Sequence, residues 1–133
     1  MNSYEFRNWR VSAVYTGSKK ADWGDKMPEN WNHHTVTVTN KINGKRTRFD
    51  FWASNMKTYL TSRYDVLSAF RCFVDDALSG EMEFEEFCRE FGYDEDSRRA
   101  EKTWKACKRS TEKLRRIFDG SLYDLINSLE EYA

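Results

Sequence analysis

Between Met82 and Arg116 an acidic, aromatic segment turns over at Gly92-Tyr93 into a strongly basic one. A fold must bury one face of each while keeping both charge sets wet. Residues 83–91 read as a short helix with Phe84, Phe87, Cys88 and Phe91 inward and its carboxylates outward. Gly92 suits the left-handed residue that closes such a helix. Asp94-Glu95-Asp96-Ser97 then supplies a cap and first-turn carboxylates for a helix predicted over about 95–119, the longest in the chain. At about 100° per residue, Ala100, Trp104, Cys107, Thr111, Leu114 and Phe118 share one stripe of that helix. Arg98, Lys102, Lys105, Arg109, Lys113 and Arg116 share the opposite face. The stripe is a core surface, and the basic ridge faces either solvent or a partner.

The charge is segregated rather than absent. The 133 residues carry 22 cations and 22 carboxylates, a formal net charge of zero. Attraction of the whole molecule to nucleic acid or to an acidic membrane is therefore not expected. Residues 97–118 nevertheless hold nine cations against two carboxylates, and residues 75–96 hold one cation against ten. Such blocks create local fields that the net charge conceals. The length predicts one domain over 1–133 with an ordinary core, and the 16% of aromatic residues argues against disorder. Cys72, Cys88 and Cys107 are odd in number and lack close spacing, which predicts reduced, unpaired thiols and a cytosolic protein. No apolar run approaches the length of a membrane span, and the N-terminus has no signal-peptide core.

Strand signals fill the first half. Trp9, Val11, Ala13 and Tyr15 alternate on one face of a strand over 9–16. Residues 17–34 read as a long polar loop containing Trp23, Met27, Pro28 and Trp31. Loops of that length in compact domains are commonly functional, and tryptophan anchors dominate many interfaces, so Trp23 and Trp31 join the candidate partner-binding set. Residues 35–42 and 45–52 flank Asn43-Gly44, a preferred two-residue hairpin turn. That turn opposes Val36 to Phe51, Val38 to Phe49 and Ile42 to Lys45. It puts Val36, Val38, Phe49 and Phe51 on the core face, with Thr37, Thr39, Lys41, Arg46, Arg48, Asp50 and Trp52 on the other.

Helices fill the second half. Ser62 and Asp65 form a capping-box pattern for a helix over about 63–79 that buries Val66, Leu67, Phe70, Phe73, Val74, Ala77 and Leu78, with Gly80 closing it. Gly120 is expected to end the basic helix, and Ser121 to cap a last one with Leu122, Leu125, Ile126 and Leu129 inward. Strands followed by helices predict an α+β domain. Its small antiparallel sheet, an N-terminal strand plus the 35–52 hairpin, packs against about four helices.

Catalytic signatures are missing. His33 and His34 are adjacent, no Cys-x-x-Cys or carboxylate pair lies near them in the chain, and they read as ordinary loop histidines rather than metal ligands. There is no phosphate-cradling glycine loop and no nucleophile elbow. The expectation is a protein without catalytic residues, metal or cofactor. The acidic face at Glu83, Glu85, Glu86, Glu90 and residues 94–96 would resemble a row of phosphates, though solvated helix faces are commonly acidic. Six cations over about 27 Å of helix match several phosphates of a duplex or an acidic protein surface. Against a partner stand Glu101 to Lys105 and Glu112 to Arg116, both in the self-neutralising i,i+4 order.

The run Phe87-Cys88-Arg89-Glu90-Phe91-Gly92-Tyr93-Asp94-Glu95-Asp96-Ser97-Arg98-Arg99-Ala100-Glu101-Lys102, continuing to Trp104-Lys105-Ala106-Cys107, resembles a stretch in small phage and prophage proteins. The hairpin and hydrophobic helix before it are similar too, so the resemblance spans residues 35–118. It implies an inhibitor of bacterial host defence, anti-CRISPR proteins among that class. Such an inhibitor binds a host protein complex in the host cytosol without catalysis. The alternative is a small nucleic-acid-binding accessory protein that uses the basic ridge.

Overall fold

Alternating residues in the first half become a four-stranded antiparallel sheet, and the 3.6-residue periodicity of the second half becomes four helices. The computed structural model describes residues 2–19, 31–53 and 60–130. The strands are β1 (Asn2–Phe6), β2 (Trp9–Lys19), β3 (Trp31–Asn40) and β4 (Arg46–Ala53), in the order β1-β2-β3-β4. The helices are α1 (Arg63–Gly80), α2 (Phe84–Phe91), α3 (Arg98–Arg115) and α4 (Leu122–Glu130). This is the α+β fold expected from the sequence.

One face of the sheet is apolar. Phe6, Trp9, Val11, Ala13, Val36, Val38 and Phe49 are buried on it against Val66, Leu67, Phe70, Phe73 and Val74 of α1. Leu114 of α3, Ile117 in the turn after it, and Leu122, Leu125 and Leu129 of α4 complete the cluster. Aromatic contacts join the layers: Phe49 stacks on Phe73 at 4.2 Å, and Trp9 meets the edges of Phe70 and Phe118 at 5.6 Å. Burying each such side chain stabilises the fold by roughly 1.5–3 kcal/mol. α2 builds a smaller cluster of its own, with Phe87 against Phe91 and Tyr93 and Phe84 against Trp104. Phe91, expected inside, is half out of it at 51% exposure.

Several boundaries differ from the sequence reading. A short first strand, β1, joins the three expected, because Arg7-Asn8 makes a two-residue turn with Arg7 at φ 53°, a conformation that its residue type does not advertise. β2 and β3 extend into the expected 17–34 loop as far as Lys19 and from Trp31, so both histidines lie on a strand. Residues 20–30, with Trp23, Met27 and Pro28, lie outside the described residues. α3 spans 98–115 rather than 95–119 and equals α1 at 18 residues. Ser97 is its cap, accepting from the Ala100 amide at 3.2 Å. The Ser62–Asp65 capping box forms as expected.

The hairpin register is the main correction. β3 and β4 pair Val36 with Phe49 and Val38 with Thr47, two residues away from the alignment an Asn43-Gly44 turn would impose. The loop is wider: the Asn40 amide donates to the Lys45 carbonyl and the Gly44 amide to the Asn40 carbonyl, both at 2.8 Å. Docking on α3 selects it, because the side-chain amides of Asn40 and Asn43 donate to the Ile117 carbonyl at 2.9 and 3.3 Å. Their oxygens also accept from the Ile42 and Lys45 amides. Side-chain direction repeats every two residues, so a slip of two leaves the core face unchanged.

Gly80 has a role other than closing α1. It is the last residue of the helix, is buried, and has no left-handed φ. A Cβ there would run into the Cys107 carbonyl and the Thr111 hydroxyl of α3. Thr111 uses that proximity to donate to the Ala77 carbonyl at 2.6 Å. Replacing Gly80 with alanine should therefore destabilise the protein by roughly 1–3 kcal/mol, as overpacking does, even though alanine is the better helix former. Urea denaturation of the variant beside the parent chain measures this; equal midpoints would refute the close-approach account.

Candidate functional site

Three elements converge on one groove. β4 is an edge strand, and Phe49, Asp50, Phe51 and Trp52 line a cavity of about 370 Å³ beside it. Successive strand residues point to opposite faces, so four consecutive lining residues place the groove along the edge of β4 rather than over one face. α1 supplies Cys72, Phe73 and Asp76, and α3 supplies Thr103, Ala106, Cys107, Arg109, Ser110 and Lys113. The floor is apolar and aromatic, and the α3 rim carries two cations.

The basic ridge is oriented as the helical phase predicts. Arg98, Lys102, Lys105, Arg109 and Arg116 are exposed, and Lys113 is half-buried where it rims the groove. Lys105 is neutralised by Glu101 at 2.8 Å, but the expected Glu112–Arg116 pair does not form. Arg109, Lys113 and Arg116 make no ion pair among the described residues. The structure thus brings Arg109 and Lys113 together at the groove and leaves Arg98 and Arg116 at opposite ends of the helix. Trp31 opens β3 opposite Lys19; its side chain, like the whole of Trp23, lies outside the described residues. The acidic positions of α2 and the turn after it, Glu83, Glu85, Glu86, Glu90 and residues 94–96, are all exposed.

Asp76 was not singled out by the sequence. Its carboxyl sits at the groove wall, reachable by solvent yet surrounded by protein on several sides. Burial first, and the neighbouring Asp75 charge second, push its pKa up to about 6. Burial and then Asp76 push the Cys107 thiol up to about 12. Cys72 also moves upward, for burial first and then the Asp76 and Asp75 charges. All three cysteines are free, as expected. Thiols held in the protonated form are the weaker nucleophiles, and Cys72 and Cys107 add polarisable surface to the groove.

A second polar cluster joins three strands on the face away from the helices. His33, only 5% exposed, places Nε2 2.8 Å from Asp50 Oδ1 and Nδ1 against the Thr16 hydroxyl. Trp52 packs on the ring at 5.0 Å. His34 points to the opposite face, where Nε2 accepts from the Leu60 amide at 3.3 Å and burial lowers its pKa first, the His33 charge second. Both histidines are members of the sheet, which corrects the loop reading. The carboxylate that sequence spacing did not reveal comes from β4, and only the observed register brings Asp50 beside His33. No group of three or more metal-ligating side chains occurs among the described residues. No helix among them is long and apolar enough to cross a membrane.

Compared with protein-family models, curated proteins and solved structures, the chain matches none.

The Asp76 pKa has a consequence for stability. The folded value of about 6 exceeds the ordinary 3.8, so the folded state holds the proton more tightly. Stability should therefore fall as pH rises from about 3.8 to about 6 and stay lowered above that. Asp76→Asn should flatten this slope and stabilise the protein at pH 7, by no more than about 1 kcal/mol on a solvent-reachable carboxylate. Thermal unfolding at pH 5 and pH 7 reads both effects; a variant less stable than the parent at pH 7 contradicts them.

Proposed function

We propose that this chain is a non-catalytic binding protein whose β4–α3 groove engages an acidic segment of a partner protein. The observation that carries the reading is the pairing of an apolar aromatic floor with two cations, Arg109 and Lys113, that no described carboxylate neutralises. An apolar floor receives side chains of a peptide, which a phosphate backbone does not offer, so the groove favours protein over nucleic acid. Exposed, unneutralised cations at the rim contribute association rate and partner choice more than raw affinity. The resemblance of residues 87–107 to small phage and prophage proteins supports a bacterial host complex as the target. Defence assemblies, CRISPR effectors among them, are the first to test, with action in the host cytosol.

The test is capture from bacterial lysate with and without nuclease, using the parent chain and the Arg109→Glu/Lys113→Glu double variant. A specific protein retained after nuclease, and lost with the folded double variant, is the expected result. Reversing two cations that hold no ion pair should leave stability within about 1 kcal/mol of the parent. At about 0.15 M salt the parent chain should not retard duplex DNA or RNA. Retardation that is similar across sequences and is lost in the double variant would instead favour a nucleic-acid accessory protein using the ridge.

A further inference from the structure

Among the described residues β4 pairs with β3 alone, and the sheet order ends with it. The hydrogen bond from Asn40 to Lys45 fixes which residues point which way. In an antiparallel ladder, hydrogen-bonded pairs recur at every second residue. Following the register from that pair, Thr47, Phe49 and Phe51 direct their amides and carbonyls at β3. Arg46, Arg48 and Asp50 direct theirs outward, and the groove begins at the far half of that edge, from Phe49 to Trp52. β4 is eight residues long and ends the sheet among the described residues, and edges of this kind accept further strands.

We infer that this edge is an acceptor for β-augmentation: an extended, acidic segment of another protein adds to the sheet as a fifth strand beside β4. The inference rests on the groove reading above and specifies the conformation of the partner. An added strand lies between two sets of positive charge, Arg46 and Arg48 on the outer face and Arg109 and Lys113 on α3. Its alternate residues turn into the groove over Phe49 and Phe73, which calls for apolar side chains there. A second copy of this chain is disfavoured where pairing sets Arg46 and Arg48 against the same cations, since like charges across strands repel. Antiparallel pairing centred on Phe49, which sets Arg48 against Asp50, is the competing outcome, and a dimer of the peptide-free chain in sedimentation equilibrium would overturn the inference.

The probe is a fluorescein-labelled decapeptide of alternating glutamate and valine, titrated at pH 7.5 and compared with three controls. These are its lysine–valine analogue, the same peptide N-methylated at its glutamate residues, whose amides face β4 in an antiparallel pairing that puts the valines in the groove, and the parent peptide with an Arg48→Pro protein. Proline at Arg48 removes an outward amide without touching the β3 ladder, and Arg48→Ala separates that loss from loss of charge. The acidic peptide should bind. N-methylation and Arg48→Pro (relative to Arg48→Ala) should each weaken it by about tenfold, a ratio that lost hydrogen bonds supply. The lysine analogue should not bind. On binding, hydrogen exchange at the Arg46, Arg48 and Asp50 amides should slow, while the Thr47 and Phe49 amides, already paired, should not change.

Failure of the acidic peptide to bind, or undiminished binding of the N-methylated peptide, overturns the inference; the second holds even if Arg48→Pro does not fold. The two readings fail separately. Undiminished binding of the N-methylated peptide, with binding still lost in Arg109→Glu/Lys113→Glu, removes the added strand and keeps the groove. Slowed edge amides in a double variant that binds as well as the parent remove the cationic rim and keep the added strand.

Discussion

Thr111 donates its hydroxyl to the Ala77 carbonyl, and beside it Gly80 brings the backbone of α1 against the Cys107 turn of α3. That contact sets the position of α3 against everything else. α1 is held to the sheet by Phe70 and Phe73 under Trp9 and Phe49, so α3, locked to α1, is carried to the β4 side of the sheet. Its C-terminal end then meets the β3–β4 loop, where Asn40 and Asn43 tie the Ile117 carbonyl. The same docking selects the hairpin register, and through it the residues of β4 that face outward. One close helix contact therefore propagates to the edge strand on which the proposed function depends.

The groove combines features that pull in opposite directions. Arg109 and Lys113 favour an acidic ligand, while Asp76 on the opposite wall opposes one when ionised. A partly desolvated carboxylate that forms no ion pair among the described residues is a small cost to the fold. Arg46 and Arg48 have a second physical role at the edge. Charged side chains on an edge strand oppose its pairing with like-charged copies, so the positive charge proposed to favour an acidic strand also disfavours registers that set Arg46 and Arg48 against each other. Specificity of this kind comes from repulsion of the wrong occupant as much as attraction of the right one.

His33 shows how a side chain with catalytic associations is employed structurally. Its ring bridges Thr16 on β2 and Asp50 on β4 while Trp52 covers it, so one imidazole links three strands on the face away from the helices. Strand alternation places Asp50 on the outer face, and the His33 contact fixes its side chain there.

Local and periodic features were legible in the chain itself. Helical phase separated Ala100, Cys107 and Leu114 from the exposed cations of α3, because side-chain direction on a helix follows from position alone. The Ser62–Asp65 box, the left-handed Gly92 and the core face of the hairpin are set by neighbours within a few residues. What distant segments contribute was not legible. Asn43-Gly44 reads as a tight turn in isolation, yet bonds to Ile117, more than 70 residues away, favour a wider loop. A two-residue slip is silent in the hydrophobic pattern because the strand period is two, although it changes every cross-strand partner. The Asp50–His33 contact, the approach at Gly80 and the groove holding Asp76 all depend on which elements meet. Sequence periodicity determined which face of each element is buried; only tertiary packing decided what each face is buried against, because hydrophobic burial is non-directional and partner choice rests on shape and a few specific hydrogen bonds.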